Sequence, residues 1–219
     1  LAKSSLVILS NPNNPTGALA GKKVLEKIAS CLEDAIVLVD EAFIDLSPGG
    51  ETLLGDAPPN MVVVRSLTKT LALPGLRIGF LYSENVRVLA RLEAARQPWN
   101  VNSIAEHAVA KVLREAPEEV AENLKASKRL VEEAVGLLSR GLSKLSFKVY
   151  DSRAPFLLVR HHPYRHPGFN RTLLKLGFHV RDASTFHTLT PYHSRISVRP
   201  LGECKLLLET LRTVVESEP

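Results

Sequence analysis

Cysteine is nearly absent from this sequence: Cys31 and Cys204 are the only two in 219 residues, they stand far apart, and neither falls within a metal-ligand spacing. A disulfide framework is thereby excluded, and two reduced thiols in a cytoplasmic protein are the expectation. Long apolar runs are missing too. Leu6-Val7-Ile8-Leu9 stops at Ser10-Asn11-Pro12, too short to span a bilayer or to form a signal peptide, so no membrane partner is expected. Aromatic residues are only 5%, and the basic excess behind the net charge of +5 is scattered along the chain. A nucleic-acid interface requires a clustered basic patch and a recognition motif, and neither is present. An anionic cofactor and substrate account for the same excess with a few arginines. Repeats and low-complexity tracts are also lacking.

What remains is the composition of a folded chain. Apolar residues at 45% and charged residues at 23% exclude a disordered polymer, and the length allows one or two domains with a real core. The chain opens on Leu1 and enters a strand-like run within five residues, as a fragment would.

The runs Leu6–Leu9, Ile36–Val39, Met61–Val64 and Ile78–Tyr82 are apolar or β-branched without clean alternation. They suit strands covered on both faces of a parallel or mixed sheet. Between the first two, Val24, Leu25, Ile28 and Leu32 share one face of a helix over Lys22–Leu32. Asn85–Ala95 repeats that pattern with Asn85 as its N-cap. Strand, helix, strand to about residue 96 predicts an α/β layer.

Beyond Pro98 the pattern changes. Helices are expected over Ser103–Leu113 and Pro117–Leu138, the second starting on a first-turn proline and stopping at Gly141. Short strands at Phe147–Tyr150, Phe156–Val159, His179–Arg181 and Arg195–Val198 follow, with helices around Phe169–Leu176 and Glu203–Val214. That order predicts a smaller α+β domain.

The chemistry concentrates in the first 77 residues, at strand ends or in the loops after them, where α/β sheets place ligands. Asn11-Pro12-Asn13-Asn14-Pro15-Thr16-Gly17 follows a strand, and alone it reads as a turn. Asp40 and Glu41 end an apolar strand, a weak signal by themselves. The sharp feature is Ser66-Leu67-Thr68-Lys69 with Leu73-Pro74-Gly75-Leu76-Arg77. A lone lysine after a strand is ordinarily a surface residue. Here it stands among hydroxyl residues with an arginine eight positions on. A phosphate needs hydroxyl and guanidinium donors, and an aldehyde cofactor needs an amine beside it. His161, His162 and His166 lie in a Pro-rich stretch without evident regular structure, so a solvated loop is expected and no metal.

Together these segments resemble the cofactor-binding motifs of the class I/II aminotransferases, a fold type I pyridoxal-phosphate family. The resemblance implies the C-terminal part of that fold. Residues 1–104 would be a partial large domain of mainly parallel sheet with helices, 105–141 linking helices, and 142–219 the small α+β domain. It also implies pyridoxal 5'-phosphate bound by Asn14, Asp40, Ser66, Lys69 and Arg77, with Thr68 a weaker candidate. Lys69 would form the Schiff base and then move the proton; Asn14 would donate to the phenolic oxygen; Asp40 would keep the pyridinium nitrogen protonated. Ser66 and Arg77 would hold the phosphate.

Within the family the Ser66–Arg77 pattern is more similar to the threonine-phosphate decarboxylase branch than to the histidinol-phosphate aminotransferase branch. Pro98-Trp99-Asn100-Val101-Asn102, Arg181-Asp182-Ala183-Ser184 and Arg195-Ile196-Ser197-Val198-Arg199 point the same way. The implied reaction is decarboxylation of L-threonine O-3-phosphate to (R)-1-aminopropan-2-yl phosphate in cobalamin biosynthesis, by a homodimer. Arg195 would take the substrate carboxylate and Arg181 its phosphate; each arginine reads otherwise as an ion-pair partner. Trp99 reads equally as a packing residue at the domain junction. Two alternatives stand: aminotransfer on histidinol phosphate or a similar compound, and a truncated non-catalytic scaffold. Two positions depart from the family: Phe43 where many members have a hydrogen-bonding Tyr, and Pro155 where relatives usually carry Asn. The family's upstream phosphate-gripping turn and ring-stacking aromatic are not in this sequence.

Overall fold

The apolar runs at Leu6–Ser10 (β1), Ile36–Asp40 (β2) and Met61–Ser66 (β3) form three parallel strands in the computed structural model, which describes residues 5–217. Val7 pairs with Val37 and Val39 with Val63, so β-branched side chains stack across the sheet. Gly79–Tyr82 (β4) pairs antiparallel with β3, which makes the sheet mixed, in the order β1-β2-β3-β4. Gly79 is required there: a Cβ at this position would lie 2.3 Å from the Arg65 carbonyl oxygen.

The helix Lys22–Ser30 (α1) covers one face of this sheet. Leu25 and Ala29 pack with Val37, Val39, Met61 and Val63, each residue losing nearly all contact with water. Burying an aliphatic side chain of this size contributes roughly 1.5–3 kcal/mol. Val24 was expected on the same face but is exposed, as are Leu6 and Ile8 on β1 and Phe80 and Leu81 on β4. β1 is therefore open on the face that carries Leu6 and Ile8, and β4 on both faces, where cover on both was expected. The helix Leu67–Thr70 (α2) follows β3 directly; Val86–Ala95 (α3) and Ser103–Glu115 (α4) complete the region. Asn85 caps α3 as expected, its side chain accepting from the amides of Arg87 and Val88.

The chain divides into two compact units. One comprises Leu1–Pro12 and Leu19–Ser127; the other comprises Asn13–Ala18 and Lys128–Pro219. The helix Pro117–Lys144 (α5) begins at its proline as predicted and crosses that boundary. It does not stop at Gly141. That residue is a packing glycine, since a Cβ there would come within 2.4 Å of Leu208 Cδ1.

The second unit is an antiparallel sheet of Lys148–Val149 (β5), Phe156–Arg160 (β6), Arg181–Asp182 (β7) and His193–Ser197 (β8), ordered β5-β6-β8-β7. Gly168–Lys175 (α6), Leu201–Ser217 (α7) and the second half of α5 pack on it around Leu138, Leu142, Phe147, Leu157, Phe169, Leu173 and Leu211. The loop Asn13–Ala18 joins this unit through Gly17. Its φ of +78° suits only glycine well, a Cβ would strike Ser152 Oγ, and its carbonyl accepts from the Arg153 amide at 2.9 Å.

Candidate active site

In the first unit the site residues cluster where β2 and β3, which are parallel neighbours, both end. Asp40 closes β2, half-buried, with one carboxylate oxygen accepting from the Ala42 amide at 2.9 Å. Ser66 closes β3 and is the N-cap residue of α2. Lys69, on α2, donates from Nζ to Thr68 Oγ1 at 2.9 Å, and Thr68 Oγ1 lies 2.7 Å from Ser66 Oγ. Ser66, Thr68 and Lys69 thus form one hydrogen-bonded chain, and Thr68 is its most buried member. Lys69 Nζ also sits 5.9 Å from the centre of the Phe43 ring, a face that attracts a cation but offers no hydrogen bond. Arg77 is exposed at a φ of 51°, two residues before Gly79, the register partner of Ser66. Its Nη1 donates to the Pro74 carbonyl at 3.2 Å.

Behind these residues lies a buried ionic network that the sequence reading missed. Arg65 donates to Thr52 Oγ1 at 3.0 Å, lies 3.4 Å from Glu41 Oε2, and pairs with Asp45. Glu41 accepts from Thr52 Oγ1 at 2.6 Å and from the Leu53 amide at 2.8 Å. Thr70 Oγ1 donates to the second Asp45 oxygen at 2.7 Å. One signal pointed to it: an arginine at the end of the run Met61-Val62-Val63-Val64 is buried only if paired.

In the second unit Asn14 and Arg195 meet, with Arg195 Nη1 donating to Asn14 Oδ1 at 2.7 Å. The Arg195 guanidinium lies 5.1 Å from the centre of the Phe156 ring, and its strand partner in register is Arg181. Burial, and then the neighbouring Arg181 charge, push the Arg195 guanidinium below its usual range. Arg195 Nε is buried without a hydrogen-bond acceptor among the described residues. Two adjacent cations, one with an unused donor, make a place suited to an anion. Arg181 is exposed and donates to Thr185 Oγ1 at 3.2 Å. Pro155 contributes its carbonyl to the Val198 amide and cannot donate.

Two expectations are corrected. Trp99 is 97% exposed, so it is no packing residue at a junction in this chain. His161 and His166 are buried rather than solvated, and each places Nε2 on Ser194 Oγ, at 2.9 and 2.8 Å. His161 Nδ1 faces the Tyr164 carbonyl at 2.8 Å, which makes it the protonated nitrogen and leaves Nε2 to accept from Ser194. Burial lowers the His161 pKa to about 4. No group of three or more His, Cys, Asp or Glu residues suited to a metal occurs among the described residues. No helix among them is long and apolar enough to cross a membrane.

The donor set of the first unit fits pyridoxal phosphate. An amine bonded to a hydroxyl matches the aldehyde, the Ser66 and Thr68 hydroxyls with Arg77 match a phosphate, and the Asp40 carboxylate matches a protonated ring nitrogen.

Comparison with known proteins agrees. Residues 1–211 match the family profile of aminotransferase class I and II. The adenosylcobalamin biosynthesis bifunctional protein CobDQ of Leptospira interrogans is 32% identical over 216 residues, covering 97% of this chain and 24% of that protein. Histidinol-phosphate aminotransferase 1 of Methylococcus capsulatus is 32% identical over 215 residues, covering 97% of this chain and 58% of the relative. The crystal structure of L-threonine-O-3-phosphate decarboxylase from Porphyromonas gingivalis superposes with a TM-score of 0.84 at 25% identity, over 97% of this chain and 65% of that one. The chain spans less than two thirds of each of these proteins. Its neighbours are enzymes of the fold type I class, and pyridoxal phosphate is the cofactor the family indicates. By the extent of the family match and the mixed α/β fold it shares with these enzymes, the chain belongs to the class I and II aminotransferase family.

Proposed function

We propose that this chain supplies the lysine-bearing part of a pyridoxal-phosphate site whose reaction is decarboxylation of L-threonine O-3-phosphate to (R)-1-aminopropan-2-yl phosphate. The observation that carries the reading is the hydrogen-bonded chain Ser66–Thr68–Lys69 at the end of β3. An amine and two hydroxyls lie within one turn of helix. The arginine pair at β7 and β8 supports an anionic substrate.

When bound, pyridoxal phosphate supplies an electron sink for the bond broken at the substrate α-carbon. The chain's own residues supply the rest. Lys69 Nζ would hold the cofactor at its aldehyde and would carry a proton to or from the substrate α-carbon. Asp40 holds the proton on the ring nitrogen, because a carboxylate beside it favours the charged form. Ser66, Thr68 and Arg77 hold the cofactor phosphate. Asn14 has Oδ1 occupied by Arg195, which turns the Nδ2 donor toward other acceptors; the cofactor's phenolic oxygen is the one assigned to it. Phe43 cannot share that task, so Asn14 carries it. Arg195 takes the substrate carboxylate, Arg181 the substrate phosphate. A homodimer in the cytoplasm completes the proposal.

The test is to supply the full-length protein with pyridoxal phosphate and threonine phosphate, without a keto acid, and to measure carbon dioxide. Release of carbon dioxide supports the decarboxylase. The likeness to histidinol-phosphate aminotransferase favours a second reading, aminotransfer. Amino-group exchange between histidinol phosphate and 2-oxoglutarate without carbon dioxide would establish that one instead.

A further inference from the structure

Each residue assigned to the cofactor at the ends of β2 and β3 has a sequence neighbour in the buried ionic network. Glu41 follows Asp40, Arg65 precedes Ser66, and Thr70 follows Lys69. Asp45, in the short 3-10 turn Ile44–Leu46, joins them by receiving Arg65 on one carboxylate oxygen and Thr70 on the other. Consecutive strand residues point to opposite faces, so Arg65 reaches into the network from the side away from Ser66. The helix α2 has four residues and too few internal hydrogen bonds to hold its own direction. Its orientation comes from outside. Thr70 Oγ1 ties it to Asp45 at 2.7 Å and lies 3.2 Å from the Ser66 carbonyl.

Such a network is a poor source of stability. Glu41 is 1% exposed and Arg65 8%, and removing two charges from water offsets most of what their attraction returns. What it supplies is fixed spacing, because every carboxylate oxygen and both guanidinium ends have a defined partner.

We propose that Glu41, Arg65, Asp45 and Thr70 are positioning residues that set the location of Lys69 Nζ relative to Asp40 and Ser66. The proposal rests on the reading of Lys69 as the cofactor lysine. None of the four is among the residues assigned to the cofactor; they act through the residues beside them. An error of about 1 Å in a reacting group costs on the order of 100-fold in rate, which is the scale at which such spacing matters.

Thr70→Val in the full-length protein removes the hydroxyl and keeps the shape. The first measurement is borohydride reduction of the wild type with pyridoxal phosphate, followed by peptide mass analysis. An adduct on a lysine other than Lys69 would overturn both the reading and the proposal. With the adduct on Lys69, Thr70→Val is expected to lower kcat about 10- to 100-fold while KM changes less than about twofold. It should also move the absorbance-monitored protonation midpoint of the lysine–cofactor link by about one unit, since that midpoint reports the charges and donors around Nζ. Thr70→Ser should restore both. Asp45→Asn, which keeps the size of the side chain, should reproduce the midpoint shift. A lowered unfolding temperature with unchanged midpoint and kcat in both Thr70→Val and Asp45→Asn would mean a merely structural role and overturn the proposal alone.

Discussion

Arg195 donates to Asn14 across 181 positions of sequence at 2.7 Å, and both belong to the same unit of the fold. The bond fixes which end of the amide is free. If Asn14 serves through Nδ2, then Asn14→Asp keeps an acceptor for Arg195 and loses the donor. Turnover should fall about tenfold or more while the unfolding midpoint stays near wild type. Equal turnover in the two proteins would remove Asn14 from the site. Arg195→Ala should lower kcat/KM for threonine phosphate by roughly 10- to 100-fold, the cost of leaving a desolvated carboxylate without its cation. Steady-state kinetics on both variants check this.

Lys69→Ala should abolish the covalent link to the cofactor. Mass analysis after borohydride reduction should find no pyridoxyl adduct in the variant and one on the peptide containing Thr68-Lys69-Thr70 in the wild type. A retained adduct on the variant contradicts the assignment.

Asp40→Asn keeps a polar group in hydrogen-bond reach of the Ala42 amide but removes the negative charge. Activity should drop far more than cofactor affinity, since the charge is needed to hold the ring proton rather than to bind the ring. Titrating cofactor binding by absorbance and measuring turnover in the same samples separates the two. A variant turning over at the wild-type rate would count against Asp40.

The buried histidines give the second unit a pH-dependent stability. His161 has its folded pKa depressed to about 4 from 6.5, chiefly by burial, with the Tyr164 carbonyl opposing and the charges of His166 and His193 adding to the fall. His166 and His193 are lowered as well, again mainly by burial, with Asp182 acting the other way on His166. A depressed histidine binds its proton more readily in the unfolded chain. Its contribution is therefore complete above pH 6.5 and is lost as the pH falls toward 4. For His161 alone the loss amounts to about 3 kcal/mol across that window. Urea unfolding at pH 7 and pH 5 should show a lower midpoint at pH 5. A constant midpoint would mean the imidazoles titrate normally.

The sequence made legible what depends on local chemistry. Asn85 was readable as a cap because an asparagine before an apolar helical face has one obvious use. The parallel strands were readable because their apolar runs lack alternation. What escaped depends on contacts far along the chain. Gly141 resembles a helix stop until Leu208 is seen to occupy the space its side chain would need. His161 and His166 sit among prolines and resemble a loop; Ser194, which binds both, is 33 and 28 residues away. The ionic network escaped for the same reason, since Glu41, Asp45, Arg65 and Thr70 converge only after β2 and β3 pair. The order of Asn14, Asp40, Ser66, Lys69 and Arg77 along the chain was visible, whereas the pairing of Asn14 with Arg195 was not.

The loop Asn13–Ala18 has a practical corollary for anyone dissecting this chain. It is encoded between β1 and α1 yet packs with Ser152, Arg153 and Arg195, so the second unit is not a contiguous stretch of gene. A clone of residues 128–219 alone would leave the Arg153 amide without the Gly17 carbonyl and Arg195 without Asn14. Excision at the unit boundary inside α5, between Ser127 and Lys128, would therefore strip Arg195 of the one side chain it donates to among the described residues.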